Sequence, residues 1–155
     1  MGKLVTQDEI VKIVRQGQRN GKTFVVTNGC FDILHVGHVR YLRETKSLAD
    51  FLIVMLNTDS SVKRIKGDLR PINNQEDRAE MLNALSCVDY VVLFDENSPA
   101  KLMEKIKPDI YTKGADYTIE TLPERDVIER CGIKVEFIEF VKGKSTTNII
   151  NKINK

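Results

Sequence analysis

Apolar positions along the chain fall into two alternating rhythms: the three-to-four spacing of an amphipathic helix and the short unbroken run of a buried strand. Ile10, Val11, Ile13 and Val14 follow Thr6-Gln7-Asp8-Glu9, a capping box, and predict a helix over about 7–20 that stops at Asn20-Gly21. Thr23-Phe24-Val25-Val26-Thr27 reads as a first strand, 23–27. A second helix is expected over about 37–46, packing through Val39, Leu42 and Thr45. Phe51-Leu52-Ile53-Val54-Met55-Leu56 is apolar throughout, as in a strand covered on both faces. A loop carrying Lys63, Arg64, Lys66 and Arg70 follows, closed by Pro71. Helix signal returns over about 74–86 through Met81, Leu82 and Leu85, then strand signal at Tyr90-Val91-Val92-Leu93-Phe94. Ser98 as cap and Pro99 in the first turn open a helix that runs to about 106. A short strand at 109–112, a helix at 122–131, a strand at 134–138 and a last helix from Thr146 complete the chain.

Strands that alternate with helices make a parallel sheet with helices on both faces. The expectation is one α/β domain over 1–155, doubly wound on a mainly parallel five-stranded sheet. Residues 1–22 form an N-terminal helix ahead of a core over 23–153. Ligands of such sheets bind at the carboxyl ends of the strands. The turn after the first strand, the basic loop after the second and the loop after the fourth all fall there.

Composition narrows the function classes. A net charge of +2 over 155 residues excludes a bulk nucleic-acid binder. No stretch approaches the roughly 20 apolar residues of a membrane span, and the polar amino terminus lacks a secretory core. Cys30, Cys87 and Cys131 are odd in number and widely separated, which suits reduced thiols and a cytoplasmic location. Met1-Gly2-Lys3-Leu4-Val5-Thr6 matches a myristoylation pattern, but helix capping accounts for Thr6.

The candidate chemistry is concentrated in Asn28-Gly29-Cys30-Phe31-Asp32-Ile33-Leu34-His35-Val36-Gly37-His38, where a strand turns into a helix. Both histidines of the protein flank Gly37. A helix start presents unpaired N–H groups and a positive dipole end, and a glycine lets a phosphate approach the backbone. Cys30, His35 and His38 also read as metal ligands on paper, but a structural zinc normally shows four ligands in recognisable pairs, and no fourth is in an obvious position. The site therefore reads as a phosphate site with no protein-caged metal. The stretch resembles the HxGH signature of the nucleotidyltransferase superfamily, whose Rossmann-like members attach a nucleoside monophosphate to a phosphorylated acceptor.

Further segments sharpen that resemblance. Asn57-Thr58-Asp59-Ser60-Ser61-Val62-Lys63-Arg64-Ile65-Lys66-Gly67, then Arg70-Pro71-Ile72 and Asp77-Arg78, resemble the D-glycero-D-manno-heptose 1-phosphate adenylyltransferase family. So do Lys113-Gly114-Ala115-Asp116-Tyr117 and Gly143-Lys144-Ser145-Thr146-Thr147-Asn148-Ile149-Ile150. Physically, the hydroxyls and N–H groups of Ser145, Thr146 and Thr147 at a helix start offer a second anion site, against the plain alternative of an N-cap.

The resemblance implies ATP and a sugar 1-phosphate as substrates, magnesium carried with the ATP, and a homo-oligomer, specifically a dimer. His35, His38 and Lys66 are the implied catalytic residues. ATP is expected on Gly29, Cys30, Phe31, Gly37, Arg78, Lys113, Gly114, Ser145, Thr146 and Thr147. Asp32, Asp59, Lys63, Arg70 and Asp116 are expected at the acceptor, with Lys66 and Lys113 close by. The chain departs from the related cytidylyltransferases in one respect. Those carry an arginine shortly before the Ser-Thr-Thr motif, where this chain has Val141-Lys142-Gly143-Lys144. Lysine supplies the charge without the bidentate fork. The alternatives are a cytidylyltransferase for glycerol 3-phosphate or another polyol phosphate, and a nucleotide-binding module without turnover.

Overall fold

A computed structural model describes residues 2–139 and 144–154. Met1 and the Val141-Lys142-Gly143 stretch invoked above lie outside the described residues. The elements are β1 (Lys3–Val5), α1 (Gln7–Arg19), β2 (Phe24–Gly29), α2 (Val36–Lys46), β3 (Phe51–Asn57), α3 (Asp59–Lys66), α4 (Gln75–Asn83), β4 (Tyr90–Phe94), α5 (Ala100–Ile106), β5 (Ile110–Gly114), α6 (Arg125–Cys131), β6 (Lys134–Ile138) and α7 (Thr146–Ile153). A 3₁₀ turn at Ile119–Thr121 precedes α6.

The sheet runs β1-β4-β3-β2-β5-β6 and every pairing in it is parallel. The strands alternate between two buried faces, as the period of two requires. Phe24, Val26, Ile53, Met55, Val92, Phe94 and Tyr111 pack on one side with Ile10 and Val14 of α1, Leu102 and Met103 of α5, and Val127 and Ile128 of α6. Val25, Leu52, Val54, Leu56 and Val91 pack on the other with Leu42 of α2 and Ala79 and Leu82 of α4.

Two expectations are corrected. The sheet has six strands, because Lys3–Val5 adds an edge strand in register with Tyr90, Val91 and Val92. Three residues carry too little pattern to be read as a strand, and the capping box that starts α1 directly afterwards dominates the local signal. That capping box is present as expected, with the Thr6 side chain and Glu9 bonding each other's backbone N–H. The basic loop is also half helix. Thr58 caps α3, and Lys63, Arg64 and Lys66 fall in its last turn.

The order of strands reverses beside β2. After β2 the chain moves towards β3 and β4, and from β5 it moves the other way to β6. The carboxyl ends of β2 and β5 therefore border the crevice that such a reversal opens. Residues 28–38 and 113–117 are the segments found there.

Candidate active site

The turn between β2 and α2 is strained. Phe31 has φ 47°, a left-handed conformation that a bulky residue rarely adopts. Its ring packs back over Gly29, where a Cβ would lie 2.7 Å from Phe31 Cε2. A Cβ on Gly37 would lie 2.8 Å from His35 Cε1 and 2.9 Å from Nδ1. Both glycines thus make room for side chains of the turn itself. The side of Gly37 on which a Cβ would project is occupied by the His35 imidazole.

His35 stands at the N-cap position of α2 and its ring stacks on His38, with centroids 3.8 Å apart. His38 Nδ1 accepts the His35 backbone N–H at 3.4 Å, which leaves the proton of the neutral ring on Nε2. Burial holds the pKa of His38 down to about 4, with His35 adding to the effect. Burial, and then Lys144, also lower His35. Two stacked rings cannot both charge cheaply, so the pair is neutral at neutral pH. His35 Nδ1 is buried without a hydrogen-bond partner among the described residues.

Those shifts have a consequence for stability. An imidazole of the unfolded chain titrates near 6.5. Between that value and about 4 the unfolded state therefore holds more protons than the native state at His38. Stability should rise with pH through this window and fall on acidification, by about 2 kcal/mol from His38 after allowance for its partial exposure. Urea denaturation at pH 7 and pH 4.5, on wild type and His38→Asn, checks this. An identical loss in both proteins would assign the pH dependence elsewhere.

Around the turn lies a cleft of about 770 Å³. Gly29, Cys30, Phe31, Asp32, His35, Gly37 and His38 form one wall, with Lys66 and Arg70 beside them. Lys113, Gly114 and Asp116 from the end of β5 form another, and Ser145, Thr146 and Thr147 border it at the start of α7. Thr146 Oγ1 donates to the Ile33 carbonyl at 3.0 Å, tying α7 to the histidine turn. Ser145 Oγ accepts the Asn148 N–H, so it caps the helix as the plain reading held.

Three residues expected in the site do not line this cleft. The Arg78 side chain is 0% exposed, and its guanidinium bonds the carbonyls of Cys30, Asn57 and Asn73 and the carboxylate of Asp59. Arg78 and Asp59 thus brace the rim of the cleft through these bonds. Lys63 lies on an exposed face of α3. Asp32 reaches the cleft wall, yet its side chain is engaged: it accepts from Arg70 Nε at 2.7 Å and from the N–H groups of Ile72 and Asn73. Burial pushes its pKa up, but those bonds outweigh it and hold the carboxyl below its ordinary value.

The sequence reading missed several residues of the cleft. Asn28 Oδ1 accepts from Tyr111 Oη at 2.7 Å and lies 3.5 Å from Lys113 Nζ. Tyr41, Asn97, Ser98 and Glu124 also line it. Asn28 could have been found as the last polar residue of the strand before the motif. Glu124 stands in no motif and carried no signal. Burial lowers the pKa of Lys113, against the opposing pull of Glu124 and Asp116, and its ammonium lies 5.0 Å from the Tyr117 ring centroid.

Among the described residues no group of three His, Cys, Asp or Glu side chains is arranged to hold a metal ion, and no helix is long and apolar enough to cross a membrane.

A family model described as Cytidylyltransferase-like matches residues 26–152. Among curated proteins, the chain is 52% identical over 151 residues to the Bifunctional protein HldE of Campylobacter fetus, and 50% identical over 151 residues to that of Geobacter metallireducens. Each alignment covers 97% of this chain and 31% of the relative, so the chain spans about a third of the length of the proteins it matches. Among solved structures, the lipopolysaccharide core biosynthesis protein from Thermoplasma volcanium is 35% identical, with a TM-score of 0.63. That match covers 80% of this chain and 100% of the other.

Proposed function

The chain belongs to the cytidylyltransferase-like family, and from that premise we propose that it joins ATP to D-glycero-D-manno-heptose 1-phosphate, giving ADP-heptose and pyrophosphate. The observation that carries the reading is the convergence of the histidine turn, Lys66, Lys113 and the Ser145 turn on one cleft. The choice of substrates rests on the adenylyltransferase-like motifs. The matched relatives are named bifunctional proteins, and this chain spans 31% of the length of one of them, as one of two activities would. The name of the Thermoplasma protein also places it in the building of a sugar-containing polymer.

An acceptor phosphate oxygen attacks the α-phosphorus of ATP, and the bond to the bridging oxygen breaks as pyrophosphate leaves. The attacking oxygen is already anionic, so the site needs no strong base. It needs in-line positioning and neutralisation of charge on the leaving group. Neutral His35 and His38 suit this as hydrogen-bond donors, since a polyanion beside them raises their proton affinity as its charge grows. Lys66 adds a cation on the same side, and the half-buried Lys113 suits the acceptor phosphate. Magnesium would supply further neutralisation. It is held chiefly by phosphate oxygens and water, which fits a site whose described residues form no cage of three such ligands.

A pyrophosphate-release assay tests the reading by crossing ATP, CTP, GTP and UTP with heptose 1-phosphate and glycerol 3-phosphate. The expected result is turnover with ATP and heptose 1-phosphate, at least a hundredfold above CTP in kcat/KM. That margin is typical of a site whose buried polar groups fit one partner and are left unpaired by another. Activity should vanish with a chelator and return with magnesium. Preference for CTP with glycerol 3-phosphate would replace the substrate pair and keep the reaction type. Silence across all combinations would leave a binding module.

A further inference from the structure

The two faces of the sheet divide the cleft. On the α2 face lie the histidine turn and, tied to it through Ile33, the start of α7. On the other face, where Tyr111 packs among α1, α5 and α6, the cleft continues past Lys113 to Ser98 and Glu124. Lys113 is two residues from Tyr111 on the same strand and so shares its face. Of the motif segments, only 113–117 reaches this second half, and Glu124 and Ser98 stand in none of them.

Glu124 sits at the end of it, ahead of α6, and is 2% exposed. Its Oε1 accepts from the Ser98 hydroxyl at 3.3 Å. Its Oε2 is buried and has no hydrogen-bond partner among the described residues. A buried carboxylate oxygen without a donor is costly, and native proteins seldom keep one without a use. The nearby cation does not remove the cost by contact: Lys113 Nζ is directed to Asn28 Oδ1 and the Tyr117 ring. A carboxylate oxygen in that position can accept from an O–H or N–H donor of a ligand. The half-buried Tyr117 ring lies on the same wall, and an aromatic surface beside a carboxylate suits a molecule with both C–H faces and hydroxyls.

We propose that Glu124 is a specificity residue of the acceptor, taking hydrogen bonds from the hydroxyls of a polyhydroxylated sugar phosphate whose phosphate lies at Lys113. The inference rests on the nucleotidyl-transfer reading above and adds to it the place where the carbohydrate is read. The arrangement separates labour across the sheet: the nucleotide meets the histidine face, and the sugar lies across β5 with its phosphate at the division.

The experiment compares wild type, Glu124→Ala and Glu124→Gln with ATP and heptose 1-phosphate, and uses inorganic phosphate as a competitive inhibitor against the acceptor. Inorganic phosphate probes the cationic end without carbon-borne hydroxyls. The expected result is a rise of tenfold or more in KM for heptose 1-phosphate in Glu124→Ala, with KM for ATP within twofold. Glu124→Gln keeps one acceptor oxygen and should show a smaller rise. The inhibition constant of inorganic phosphate should stay level or fall, because a nearby negative charge has been removed. A general distortion of the cleft would instead weaken phosphate and sugar phosphate together, and that result overturns the proposal. So does an acceptor KM within twofold of wild type in the variants. If Glu124→Ala does not fold, Glu124→Gln carries the same comparison. Wild type that releases no pyrophosphate with any acceptor would fail the nucleotidyl-transfer reading itself and remove this inference with it. That pattern is distinct from an active wild type with indifferent variants.

Discussion

His35→Ala and His38→Ala should each lower kcat by roughly a hundred- to thousandfold, the loss of about 2.7–4 kcal/mol that follows removal of one donor to developing charge. The two should differ in stability. His38 is packed at 5.0 Å from the Phe31 ring and receives the His35 N–H, so its removal leaves a gap and an unpaired donor. His35 has a buried Nδ1 with no partner among the described residues. Deleting it removes a desolvation cost of about 1–3 kcal/mol, which offsets the loss of its stack on His38. His35→Ala should therefore be nearly inactive and at least as stable as wild type. Such a split marks a group retained for a ligand at the expense of the fold. Thermal melts and single-turnover kinetics on both variants check it. Near-normal turnover in either folded variant would remove the histidines from the chemistry.

The fold was legible because both helix and strand patterns are strong. The continuous apolar run at Phe51 to Leu56 and the alternation around it announce a sheet buried on both faces. Lys3–Val5 escaped notice because its only qualification is its partner: two of its three residues are exposed and nothing local demands extension. α3 was hidden by its charge. Lys63, Arg64 and Lys66 suggest a solvated loop, whereas the cap at Thr58 and the buried Val62 make a short helix.

In the site, the motif letters located the cleft but not the duty of each side chain. Gly29 and Gly37 are small to admit Phe31 and His35, a fact that depends on ring positions no linear pattern encodes. Asp32 belongs to the loop at Ile72 and Asn73 because its carboxylate accepts both of their N–H groups. Glu124 stands outside every motif, past the end of segment 113–117, and reaches the cleft because the chain between β5 and α6 turns it back. Residues drawn together by topology are the ones a sequence reading is least able to find.

Arg78 gives the largest expected effect on folding. Its guanidinium donates to Asn73 O at 2.9 Å through Nε, to Cys30 O at 2.7 Å and Asn57 O at 2.9 Å through Nη1, and to Asp59 Oδ1 at 2.8 Å through Nη2. Those acceptors lie on the histidine turn, the end of β3, the loop before α4 and the start of α3, so one side chain fastens four segments of the rim. Arg78→Ala leaves buried carbonyls unpaired and opens a cavity, for a loss of about 3–5 kcal/mol, a large share of the roughly 5–15 kcal/mol that holds a domain together. Lysine keeps the charge but has no planar fork to reach Asn73, the Cys30 and Asn57 carbonyls, and Asp59 from three nitrogens at once, and Arg78→Lys should recover less than half of the loss. Urea denaturation of the three proteins, with ATP binding measured on the folded fraction, separates the two roles. A nucleotide ligand would give Arg78→Lys near-native stability and weak ATP binding. A brace gives the reverse: low stability, with ATP affinity within a few-fold of wild type wherever the protein remains folded. The enclosure of every donor atom named here, at 0% side-chain exposure, favours the second outcome.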